Sequence, residues 1–141
     1  MNIFLWVLQV LLAAAFLMHG WMFLFPPESM AAGMDAIINP AFRLFIGAAE
    51  VLAAIGLTLP GATRIKPWLV PLSAAGLMIV TISATIFHVA RGETSSALTT
   101  AILFAVVTLV AYMRWKVRPI AERSTAILVA ADESSTARVR D

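Results

Sequence analysis

Cysteine is absent from this chain. That excludes a disulfide scaffold, a thiolate zinc site, an iron–sulfur cluster and any enzyme working through a dithiol. Charge is scarce too: Asp, Glu, Lys and Arg make up 13% of the residues, about half the share in soluble domains. With only two histidines, His19 and His88, no haem-ligand pair or metal cluster is expected. The net charge of +2 does not indicate nucleic-acid binding, because the basic residues gather beside apolar runs and form no folded basic face. What fills the 141 residues is apolar: 61% hydrophobic, with a mean hydropathy of +0.91. This is one domain's worth of chain, composed for a bilayer.

A membrane-spanning helix needs about 20 mostly apolar residues. Four segments qualify, at about 3–25, 42–59, 68–89 and 97–115. The fold class expected is therefore all-α, an integral membrane four-helix bundle occupying 1–119, followed by a tail at 120–141. Turn chemistry separates the spans: Pro26-Pro27 after the first, Pro60-Gly61 closing the second, Gly92 before the fourth and Pro119 after it. The first span lacks a basic n-region and exceeds a typical h-region, so it reads as a retained helix. Lys and Arg set the orientation. Arg64 and Lys66 lie in the second loop, and Arg114, Lys116, Arg118 and Arg123 flank the last span. The first loop has none and the third only Arg91. Both termini are predicted cytoplasmic, in the cell membrane. The tail has a brief apolar run, 126–131, and its last residues, 134–141, read as disordered.

Ionisable groups inside a span are costly and usually face the bundle interior. Arg43, Glu50, His19 and His88 are the candidates. Arg43 and Glu50 are seven residues apart, so they differ by only about 20° around the helix. Gly47 and Ala54 share that stripe and suit close helix packing. Alternating helix directions put all four ionisable groups in the outer half of the membrane. His19, Arg43, Glu50 and His88 are therefore predicted to line one ligand-binding pocket open to the outer leaflet. Glu50 must be protonated, paired or hydrated. A structural clamp with Arg43 or His19 and a catalytic acid both remain open for it. Gln9 reads as glue between helices, and the inner half offers otherwise only hydroxyls. Trp6, Trp21, Trp68 and Trp115 read as interfacial anchors.

The second span, Phe42-Arg43-Leu44-Phe45-Ile46-Gly47-Ala48-Ala49-Glu50 through Gly56-Leu57-Thr58-Leu59-Pro60, resembles the signature helix of the DoxX and DoxX-like membrane proteins. There an Arg, a Gly and a Glu recur at this spacing, and the helix closes with Gly-Leu and a Pro. The turn Phe87-His88-Val89-Ala90-Arg91-Gly92-Glu93 resembles that family's His-then-Arg-Gly-Glu turn. The likeness covers about residues 3 to 115. One departure stands out: such chains often carry a Lys after the glycine near the end of the first helix, whereas here Gly20 is followed by Trp21-Met22-Phe23.

The resemblance implies a four-helix membrane bundle. Relatives in that family include small subunits of a thiosulfate:quinone oxidoreductase and a membrane partner of thiol-stress and superoxide-defence enzymes; distant eukaryotic ones act as assembly chaperones or cargo receptors. Three readings of function follow. The first is a membrane subunit or anchor of a redox assembly, with quinone as the cofactor it allows. The second is a non-catalytic assembly partner with a structural polar centre. The third is a small proton-coupled transporter using Glu50, against which stands the strong Lys/Arg bias toward one orientation. The partners expected are the lipid bilayer, proteins of a redox assembly and a further copy of the chain itself.

Overall fold

The computed structural model describes residues 2–124 and 127. Most of the tail, including all of the apolar run but residue 127 and the terminal segment read as disordered, lies outside the described residues. Among the described residues, five α-helices follow in order: α1 (Asn2–Leu24), α2 (Glu28–Ile37), α3 (Pro40–Thr63), α4 (Leu69–Ala90) and α5 (Thr94–Tyr112). A π-helical turn, Met113–Val117, prolongs α5. Among the described residues, four helices are long and apolar enough to cross a membrane: α1, α3, α4, and α5 with its π turn. No strand occurs among the described residues.

The buried seams repeat every three and four residues. On α3 they are Arg43, Gly47, Glu50, Ala54, Leu57 and Gly61; on α1, Leu5, Gln9, Leu12, Phe16 and Gly20; on α4, Val70, Ala74, Leu77 and Thr81. That spacing keeps one narrow stripe facing a partner helix, as in coiled-coil seams. Leu12, Phe16, Leu57, Leu77, Val107 and Val110 meet in the core. The other faces stay apolar outward, with Ile3, Met18, Ile79 and Leu52 all mostly exposed. A surface of that chemistry is solvated by lipid tails.

Two features depart from expectation. The first connection is not a plain loop but the short helix α2, none of whose residues is buried. Asn39 then caps α3, its side chain accepting from the Ala41 N–H at 2.9 Å, with Pro40 in the first helical turn. The second departure corrects a boundary. Pro60-Gly61 does not close the second span: α3 runs through it to Thr63. Pro60 lacks one N–H, yet it lies in the final turn, where little helix remains to be deflected. Packing holds that turn in place. A Cβ at Gly61 would stand 2.8 Å from Ile120 and 3.0 Å from Trp6. Arg64 then ends the helix in the left-handed conformation, at φ 57°.

Candidate functional site

The antiparallel helices α1 and α3 touch most closely at a pair of glycines. A Cβ on Gly20 would lie 2.8 Å from the Gly47 carbonyl oxygen and 3.0 Å from the Glu50 Cβ, and one on Gly47 would lie 2.9 Å from the Gly20 carbonyl. Any side chain there would force the helices apart. This contact brings His19, the residue before Gly20, onto Glu50.

His19 Nδ1 and Glu50 Oε2 stand 2.6 Å apart. The two side chains are unlike in access: His19 is 45% exposed and Glu50 only 3%. The buried carboxylate is thus hydrogen-bonded to a half-exposed imidazole. Nδ1 is taken by Glu50, and Nε2 makes no hydrogen bond among the described residues. The Phe23 ring packs against the imidazole at 4.4 Å between centroids. An imidazole held at one nitrogen by a buried carboxylate can accept or deliver a proton at the other.

Arg43 lies one helical stretch away on the same stripe of α3, and its side chain is 9% exposed. Its Nη1 donates to the Phe23 carbonyl, one of those left over at the end of α1. Its Nε donates to Asp35 Oδ1 on α2 at 3.0 Å. A cation at a helix C-terminus also complements the helix dipole. Arg43 therefore ties α1, α2 and α3 together, and its carboxylate partner is Asp35, not Glu50.

His88 is placed differently. At the end of α4, its Nδ1 meets Glu93 Oε2 at 2.6 Å, and Arg91 Nε donates to Glu93 Oε1 at 2.7 Å. Gly92, at φ 71°, makes the turn that folds Glu93 back. The Arg91 guanidinium and then His88, both hydrogen-bonded to it, hold the Glu93 carboxyl below its ordinary range. No hydrogen bond joins this turn to His19, Arg43 or Glu50. Of the four predicted residues, the structure joins His19 to Glu50 directly, sets Arg43 beside them on the shared seam, and gives His88 its own partners. Gly47 and Ala54 both lie in the buried seam.

A second buried polar centre escaped the sequence reading. Arg114, expected as a flanking charge, is 3% exposed. Its Nε donates to Gln9 Oε1 at 2.6 Å and its Nη1 to Asn2 Oδ1 at 2.8 Å. Gln9 Nε2 in turn donates to the Leu57 carbonyl at 2.6 Å, so Gln9 does link helices, and it also receives a cation. Trp6, read as an anchor, lies under the guanidinium at 5.4 Å from the ring centroid. The expectation that this half of the bundle holds no ionisable centre is thus overturned. Asn2, Trp6 and Gln9 fall on one face of α1, and that stripe of acceptors and a π-face was the available signal.

The match to known families can be set beside this geometry. A model of the DoxX-like family matches residues 7–111. The chain belongs to the DoxX-like family. The matched stretch contains His19, Arg43, Glu50 and His88, and ends before Arg114. No curated protein and no solved structure matches the chain. Among the described residues, no group of three or more His, Asp or Glu side chains is arranged to hold a metal ion.

Proposed function

We propose that this DoxX-like protein is a membrane subunit or anchor of a quinone-linked or oxidative-stress redox assembly, and that His19 and Glu50 form its proton-handling site. One observation carries the reading: a half-exposed imidazole hydrogen-bonded at 2.6 Å to a buried carboxylate. A quinone needs an apolar surface beside a proton donor at its carbonyl. In its protonated form His19 donates from Nε2, and Phe23 offers a ring to lie against. Glu50 keeps the imidazole oriented and holds compensating charge. Arg43 braces the helix ends around the pair.

The test is mass spectrometry of the gently solubilised protein, identifying bound quinones and proteins together. Quinone retained by the native chain and lost in His19→Ala and Glu50→Gln supports the reading. Retention equal in all three refutes it. The glycine interlock beside Glu50 favours a second reading, a non-catalytic assembly partner whose polar pair fastens α1 to α3. Under that reading, partner proteins co-purify without quinone.

The orientation proposed puts both termini in the cytoplasm of a cell-membrane protein, supported by the Lys/Arg asymmetry of the loops. The chain has no cysteine, so one introduced at Asp35 is the sole label. Membrane-impermeant reagent is expected to reach it from outside intact cells; labelling only after lysis inverts the topology.

A further inference from the structure

At the end of the bundle opposite His19 and Glu50 lies a cavity of about 410 Å³. It sits between the start of α1, the last turn of α3 and the chain beyond α5, with Asn2, Trp6, Gly61, Arg64, Arg114 and Arg118 in its lining. Three of those side chains are guanidinium cations, and no Asp or Glu lines the cavity. None of the three makes an ion pair among the described residues.

The hydrogen-bond inventory of Arg114 is incomplete in a telling way. A guanidinium has five N–H donors. The Nε donor goes to Gln9, and Nη1 serves Asn2 and, at 3.3 Å, the Arg118 carbonyl. Nη2 is buried and has no acceptor. Among the described residues, every group that accepts from Arg114 is neutral: two amides, a backbone carbonyl and the face of Trp6. A buried cation is unfavourable until a counter-charge reaches it. The surroundings are firmly built. The Arg64 carbonyl accepts from the Arg123 N–H at 3.1 Å, closing the chain over this side. The π-helical turn Met113–Val117 carries Arg114 inward, and such turns often mark functional positions.

We infer that this cavity binds a phosphate ester anion, with the Arg114 guanidinium as its buried cation and Arg64 and Arg118 as its outer cations. Guanidinium forks match phosphate oxygens in pairs. The volume falls in the range of small-molecule sites and admits a phosphate with a small organic substituent. The cavity stands where apolar spans end, so the ester comes either from the headgroup of an anionic phospholipid or from a soluble phosphate monoester. The site is separate from the redox reading above and stands or falls without it.

The experiment uses the full chain in nanodiscs of phosphatidylcholine or phosphatidylglycerol, and in neutral detergent with glycerol 3-phosphate. Thermal unfolding and native mass spectrometry are the readouts. Phosphatidylglycerol is expected to remain bound and raise the Tm if the source is lipid, and glycerol 3-phosphate to do so if it is soluble. In either case the paired variant Arg64→Gln/Arg118→Gln should weaken apparent affinity about tenfold or more, the loss expected when charge-assisted hydrogen bonds are removed. Both positions lie at the cavity's outer side, so this variant tests the site even if Arg114→Gln fails to fold. Binding of neither ester, or binding that the paired variant leaves intact, overturns the inference.

Discussion

Glu50 and Arg114 are both almost inaccessible, at 2% and 3% exposure, and both sit on spanning helices. Their surroundings solve the problem of a buried charge in opposite ways. Glu50 meets an imidazole that can carry the opposite charge, and the neighbouring Arg43 has its own carboxylate in Asp35. That end of the bundle is balanced within the chain. Among the described residues, Arg114 meets only neutral acceptors and an aromatic face, with one nitrogen unserved. Among the described residues, the cavity at that end is lined by three guanidinium groups and no carboxylate. Burial alone therefore does not tell whether a charged group is finished structure or half of an interaction. The inventory of partners does.

The comparison breaks most sharply at His19. His19→Leu leaves the Glu50 carboxylate buried with no cation, and removing one partner of a buried pair costs about 3–5 kcal/mol. Glu50→Gln keeps a neutral hydrogen bond and is expected to cost only about 1 kcal/mol. Unfolding in detergent, followed by circular dichroism, measures both. Equal losses would mean that the pair is not charged and that this end is no better balanced than the other.

At the opposite end, Gln9→Leu removes the acceptor of Arg114 Nε and the donor to the Leu57 carbonyl together. The expected loss is about 3 kcal/mol, because one stranded group is a cation. A smaller loss would show that Asn2 and Trp6 already suffice. Gly20→Ala tests the helix contact without touching charge. Its Cβ would meet backbone at Gly47, which cannot yield as a flexible side chain can, and overpacking of this kind costs about 1–3 kcal/mol. Loss of the His19–Glu50 bond in that variant, seen in the imidazole NMR signals, would tie the pair to the glycine interlock.

Much of the first centre was legible in the sequence. The four spans follow from apolar length, and the stripe of Arg43, Gly47, Glu50 and Ala54 follows from helical spacing. That Glu50 needs a partner follows from the cost of a bare carboxylate in hydrocarbon. Which partner was not legible, because it depends on two glycines on different helices meeting backbone to backbone. For His88, depth in the membrane named no partner: the one it has lies five residues on in the same turn. Arg114 was hidden for a different reason. Basic residues at the end of a last span usually snorkel outward, and nothing in a local pattern announces the π-helical turn that carries this one inward. Pro60 fails as a stop signal because tertiary packing of Gly61 outweighs a local break.

The smallest effect concerns the turn that belongs to neither centre. Glu93 lies outside the spans, its side chain is 37% exposed, and its carboxyl is held below the ordinary range by Arg91 and then His88. A carboxylate whose folded pKa is depressed contributes stability that is fully present above its unfolded pKa. That stability is lost as pH falls through the folded value. Solvent screening keeps the contribution small. The Tm of the native chain should therefore drop on acidification below the ordinary carboxylate range, and Glu93→Gln should flatten part of that drop while changing little at neutral pH. Scanning calorimetry of both proteins across that range measures the difference. A drop of the same depth in the variant would show that this turn contributes nothing to the acid sensitivity.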